Sequence, residues 1–446
     1  MKKSASLIVA ALTGTFSAAC DSDGPGPVIL TPQELCGDML APASNRAGYA
    51  QSATASGALD TDGPFFAALG TNDRSCGTCH LSTQGWTITP AGVQARFWMS
   101  DGLDPIFRPH DGANAPELDV STVDARRAAY SLLLSRAVIR IGLPVKPTSE
   151  FELAEVDDPY GHASAAQLSL FRRPLPTTNL RFLTAINWDG RNTPAADLTN
   201  IRLGLKNQSN GATVNHAQAA APLDDATREA IVDLELSLVT AQVRHRRAGD
   251  LTVLGAQGGP LPLLTLPFAI GANDPFAPGF SNHVFSLYDA WSALGGYDDE
   301  ERRKIADGQR VFNEKTFSLP SGATATCATC HSVPEVGGLS SFRMIDNGVS
   351  DPARRAPEVP LYTFRNKTTG DLVRTTDPGR ALITGLWADM NKFKVPGLRA
   401  LAARAPFFHD GSARDLKAVV DFYEDRFHID FSDGEEDHLV KFLESL

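Results

Sequence analysis

The chain has 446 residues, 42% of them apolar and 21% charged, and a formal net charge of -11. That length accommodates two domains with real cores. The acidic balance excludes the basic, phosphate-binding surface that a nucleic-acid partner needs.

In chain order, Lys2 and Lys3 precede an apolar run from Leu7 to Phe16 and the small residues Ser17, Ala18 and Ala19. This layout predicts a secretory signal peptide over 1–20, too short to span a bilayer. Cys20 follows at once, as in a lipoprotein signal, although Ser17 stands where such signals usually carry Leu. The expected address is the periplasm, with membrane attachment only through an N-terminal lipid anchor. Residues 21–45 are rich in Pro, Gly and small polar residues and read as a flexible tether. A first segment runs over 46–246. Within it, Val123 to Arg140 carries apolar residues at helical spacing. Residues 141–178 read as irregular, and Asp224 to Arg244 as a helix with early acids and late arginines. Residues 247–284 are a Gly- and Pro-bearing connection. A second segment, 285–446, is expected to hold helices from Asp299 to Phe312 and from Gly434 to Leu446. No strand pattern is sustained anywhere.

Six cysteines punctuate this plan: Cys20, Cys36, Cys76, Cys79, Cys327 and Cys330. Four of them form Cys76-Gly77-Thr78-Cys79-His80 and Cys327-Ala328-Thr329-Cys330-His331. Cys-x-x-Cys-His is the haem c attachment pattern, in which each thiol adds to a haem vinyl group and the histidine ligates iron. A thioredoxin-like pair needs no following histidine. A zinc site would have to join ligands some 250 residues apart, and disulfides are the remaining alternative. Cys36 is left over. The fold expected is therefore mainly α, with two tandem cytochrome c-like haem domains. His80 and His331 would fill one axial position at each iron. An electron carrier closes the other position, whereas an enzyme leaves it open to a small oxidant. Two haems in so long a chain leave room for a shaped pocket and favour the enzyme.

Residues Lys392 to Tyr423 read KFKVPGLRALAARAPFFHDGSARDLKAVVDFY. This stretch resembles the C-terminal signature of the bacterial di-haem cytochrome c peroxidase and MauG family. Asn187-Trp188-Asp189-Gly190-Arg191 resembles the family's Phe-Trp-Asp-Gly-Arg, and Asp307 to Phe312 its approach to the second haem. The likeness runs from about residue 60 to the end and is patchy over an atypical insertion, about 95–170.

The resemblance implies a division of labour. The haem on Cys76, Cys79 and His80 would react with hydrogen peroxide. The haem on Cys327, Cys330 and His331 would relay electrons, and Trp188 would bridge the two. Counting twelve residues from Gly411, where the peroxidases place a Met ligand and MauG-type enzymes a Tyr, reaches Tyr423; Met390 and Met344 are its rivals. Asp189 and Arg191 would brace the Trp188 turn. In the peroxide pocket the family places a Gln and then a Glu. Gln208 fits the first; at the second spacing stands Gln218, with His216 two residues earlier. Histidine is the side chain most used for acid–base work, and His216 is the candidate distal group. His110 and His162 are candidates to cap the first haem at rest. His409 would pack near the second haem. The family's interdomain calcium uses an Asn and carbonyls near an Ala-Pro pair; here Ala405-Pro406 is present, but Arg173 stands at the Asn position, and a guanidinium there could replace the cation. The expected function is a peroxidase or MauG-like oxidoreductase, with a cytochrome c, a copper protein or a protein substrate as partner. The alternative is a non-enzymatic di-haem electron-transfer cytochrome.

Overall fold

The computed structural model describes residues 39–55, 59–432 and 434–446. The expected signal peptide, Cys20, Cys36 and most of the tether lie outside them. The end of the tether is ordered: Ala43–Ser44 pairs with Gly48–Thr54. Among the described residues, no helix is long and apolar enough to cross a membrane.

The described residues form twelve α-helices but also eleven strands in four sheets, so "mainly α" describes the chain only in part. The helix expected over Asp224 to Arg244 stops at Ser237, and Leu238–His245 continues as a strand. Val239, Thr240 and Val243 are β-branched, and the strand Gly48–Thr54 offers them an antiparallel partner. The helix expected over Val123 to Arg140 is likewise two short helices, Val123–Ala129 and Ser131–Arg136. Ala137 then turns left-handed at φ 51 and Ile139–Leu143 becomes a strand. That strand pairs with Leu168–Arg172, inside the stretch expected to be irregular.

A three-stranded sheet crosses the expected domain boundary. Phe151–Asp157, in the insertion, pairs with Leu361–Asn366, which pairs with Leu372–Thr375. The insertion is thereby stitched into the C-terminal half. The connection over 247–284 contains the strand Gly249–Asp250 and the helix Leu261–Thr265.

The second motif is framed by the expected helices, which span Glu300–Glu314 and Glu435–Glu444. They cross with almost no gap: a Cβ on Gly308 would stand 1.9 Å from the His438 carbonyl oxygen, so only glycine fits. Asp307 with His438 and Lys315 with Glu435, both at 2.7 Å, pin the crossing. Beneath it lie Phe285, Tyr288, Trp291, Phe312 and Phe442, packed largely edge to face. The first motif sits over a smaller cluster of Phe65, Trp86, Ile231 and Leu238. There Gly70 is pressed on the Ala217 carbonyl, where a Cβ would come to 1.8 Å.

Candidate functional site

The two Cys-x-x-Cys-His segments fold alike. Each is one short helical turn, Cys76–Thr78 and Cys327–Cys330. Thr78 Oγ1 accepts from the Ser75 amide and Thr329 Oγ1 from the Thr326 amide, both at 2.9 Å. Burial pushes the Cys76 and Cys327 thiols up to about 12. His80 Nδ1 lies 3.0 Å from the Trp86 carbonyl and His331 Nδ1 lies 2.5 Å from that of Gly337. A carbonyl only accepts, so Nδ1 carries the hydrogen and Nε2 keeps a free lone pair, as in metal-ligating histidines. Burial lowers both imidazoles to about 4, which favours the neutral, ligating form.

A cavity of about 480 Å³ adjoins the first turn, lined by Cys76, Cys79, His80, Trp188, Gln208 and His216 among others. Its wall carries buried cations whose hydrogen bonds reach only carbonyl oxygens. Lys394 Nζ donates to Ala185 at 3.0 Å, and Arg404 donates to Gly397. Burial lowers Lys394 to about 7 and Arg404 to about 10, and Arg404 Nε has no partner among the described residues. Paired cysteines, neutral imidazoles whose Nε2 keeps a lone pair, and a cavity wall in which Lys394 and Arg404 reach only carbonyl oxygens fit haem c, whose propionates are anionic.

His216 closes the C-terminus of the helix Ile201–Asn215, two turns beyond Gln208. Its Nδ1 lies 2.8 Å from Asp111 Oδ2. Arg74 Nη1 donates to both Asp111 oxygens at 2.7 Å. Burial opposes ionisation of Asp111, but His110, His216 and Arg74 hold it below the usual carboxylate range. Sequence reasoning missed Asp111; it stands 105 positions from His216, and no local pattern joins them. Gln218 is exposed, with Oε1 accepting from Asn72 at 3.3 Å, and is absent from the cavity wall. Of the two candidate caps, His110 Nε2 lies 3.4 Å from Asp111, a residue of the cavity wall, and His162 pairs with Glu117 at 2.9 Å; neither is itself among the residues lining the cavity.

Trp188 joins this cavity to the C-terminal signature. Its Nε1 donates to the Arg173 carbonyl at 2.9 Å, its carbonyl accepts from the Lys394 amide at 2.9 Å, and its ring meets His409 edge to face at 6.3 Å. Asp189 is fully buried between Arg172 and Arg191, and these guanidiniums overcome the burial cost to bring its carboxyl down to about 2. Arg172 also grips Asp377 at 2.7 Å. His409 stacks on Phe393 at 4.4 Å.

At the second turn, burial first, and then the neighbouring Cys330 and Cys327, push the Tyr423 phenol up. Its oxygen accepts from Asn347 Nδ2 at 2.9 Å, a donor the sequence did not single out. Phe408 and Phe427 flank the ring. Met390 is buried in another cluster, with Phe151 and Tyr362, and Met344 packs over Gly190. Calcium does not fit. The Arg173 guanidinium already donates to the carbonyls of Arg404 at 3.0 Å, Ile88 at 2.8 Å and Arg136 at 3.1 Å. A cation near Ala405-Pro406 would have to displace it.

No protein-family model matches the chain. It is similar to cytochrome c551 peroxidase of Nitrosomonas europaea, 28% identical over 260 residues that cover 58% of this chain and 60% of that protein. It is similar to methylamine utilization protein MauG of Methylorubrum extorquens, 26% identical over 290 residues, 62% of this chain and 64% of that one. The likeness thus spans less than two thirds of either relative. A solved MauG-like protein associated with microbial copper homeostasis covers 86% of this chain and 85% of its own at 15% identity, with a TM-score of 0.41, too loose to bear on the fold.

Proposed function

We propose, for a chain related at low identity to the di-haem cytochrome c peroxidase and MauG proteins, the role of an exported, periplasmic di-haem oxidoreductase that consumes hydrogen peroxide. On this reading 46–246 and 285–446 are the two haem domains, joined by 247–284. Cys76, Cys79 and His80 hold the haem that meets peroxide. Cys327, Cys330, His331 and Tyr423 hold the haem that exchanges electrons with the outside. A lipid on Cys20 would supply the membrane attachment. One contrast carries the reading: the attachment turns are alike, but a cavity with His216 and Gln208 adjoins His80, whereas Tyr423 and its aromatic neighbours adjoin Cys327 and Cys330.

Bound haem supplies the electron chemistry at iron. Overall, one hydrogen peroxide takes two electrons and two protons to give two waters. His216 Nε2 takes the proton from one peroxide oxygen and returns it to the other as the O–O bond breaks. The Gln208 amide orients the oxidant. Trp188 is the aromatic stepping-stone between the sites. The electrons come from a small redox protein, a cytochrome c or a copper protein, or from a protein substrate that is thereby oxidised. Phenolate ligation at Tyr423 would lower the second potential relative to Met and favour substrate oxidation over detoxification.

Cyanide titration of the oxidised protein tests this. One equivalent per chain is expected, altering the EPR signal of a single haem. No binding at all would leave the non-enzymatic electron-transfer cytochrome. Tyr423→Phe should change the second haem's absorption spectrum and spare the first; an unchanged spectrum would remove Tyr423 as a ligand.

A further inference from the structure

The distal wall of the cavity contains a buried relay that the expected Gln and Glu pair does not account for. Asp111 is 4% exposed and comes from the short helix Pro109–Gly112, in the insertion. Arg74 is 3% exposed and stands two residues before Cys76. Arg74 is fully committed to holding this corner. Its Nε donates to the Pro105 carbonyl at 2.8 Å and its Nη2 to that of Ile106 at 2.6 Å. Its Nη1 serves Asp111 and also the His216 carbonyl at 3.1 Å. The His216 carbonyl takes a second bond from Asn72 Nδ2 at 2.8 Å. The imidazole is thus fixed at its backbone and at Nδ1, while Nε2 has no protein partner among the described residues.

We propose that Asp111, held by Arg74, is a positioning residue that fixes His216 as its Nδ1–H tautomer and presents the unprotonated Nε2 to the ligand-binding face of the first haem. An ionised carboxylate only accepts, so the hydrogen must sit on Nδ1. When Nε2 takes a proton, Asp111 stabilises the imidazolium that forms, the logic of a carboxylate-oriented histidine base. Because Arg74 lies on the approach to Cys76, the turn that anchors the haem also anchors the group facing it. The insertion therefore supplies half of the acid–base device. The inference rests on the peroxide-reactive reading of this site.

The test is the infrared C–O stretch of the carbon monoxide adduct of the reduced holoprotein. A bare Nε2 lone pair beside the ligand raises that frequency, and an Nε2–H donor lowers it. Asp111→Asn can donate to Nδ1 and so flip the tautomer. The band should move to lower frequency in Asp111→Asn, and the shift should vanish when His216→Leu is combined with it. In parallel, Asp111→Asn should lower kcat/KM for peroxide roughly 10- to 100-fold, the usual scale for such supporting groups. Should Asp111→Asn fail to retain haem, Arg74→Lys carries the same band measurement, since it loosens Asp111 without removing its charge. A band indifferent to Asp111 and to Arg74, or one that shifts equally with His216 replaced, overturns the inference. Failure of the first haem to bind carbon monoxide or cyanide at all overturns the underlying peroxide reading instead.

Discussion

The two Cys-x-x-Cys-His turns are close copies in the backbone. Each is closed by the threonine between its cysteines, and each histidine is fixed by the carbonyl six residues on. Their surroundings are opposite in character. Beside the N-terminal turn lies a cavity with buried charges and a carboxylate-held histidine; beside the C-terminal turn lies a phenol among phenylalanines. On the proposed reading, the attachment motif specifies that a haem is held and the opposite wall specifies what it does: a polar, roomy wall would admit a small oxidant, and an aromatic wall would exclude it.

Removing the polar group from the first wall is the strongest way to break this contrast. His216→Leu should lower kcat/KM for peroxide by about 10²–10⁴, the usual worth of a positioned acid–base group, and leave the second haem's spectrum unchanged. Next in size is the joint between the sites. Asp189→Asn leaves Arg172 facing Asp377 with one partner lost, and a buried pair so broken costs about 3–5 kcal/mol, read as a drop in Tm. A smaller effect lies wholly on the second side. Gly308→Ala forces the crossing helices apart at His438 and should cost about 1–3 kcal/mol, with cyanide binding at the first haem intact.

The last effect is a pH slope on the first side. Glu235 is fully buried near Cys76, and burial raises its carboxyl from 4.5 to about 8. Between these values the folded chain keeps a proton that the unfolded chain releases. Its contribution to stability is full below pH 4.5 and is lost as pH rises toward 8. Glu235→Gln should flatten that slope and raise Tm at pH 8. A slope unchanged by the substitution would assign it to other groups.

The sequence announces whatever rests on local spacing. The attachment pentapeptides and the helices flanking the second one can be read directly, because ligand spacing and amphipathic period lie within a few residues. Tyr423 is reached only through the family resemblance. The strands cannot be read, because Leu238–His245 has helix-like spacing in isolation and becomes a strand only beside Gly48–Thr54. Asp111 is invisible for the same reason on a larger scale: its meaning depends on His216, which the fold brings to it from another helix. Arg173 stands out as a misplaced cation, but its three carbonyl partners come from separate segments that no pattern links.

The sheet that stitches Phe151–Asp157 to Leu361–Asn366 bears on how the chain matures. A polypeptide is made from its N-terminus, so Glu155 must wait 208 positions for Thr363 beside it. Closing so long a loop is slow, and until then the edge is open. Lys394, Arg399 and Arg404, which line the first cavity, emerge later still. The first Cys-x-x-Cys-His turn is therefore made long before the far wall of its cavity exists.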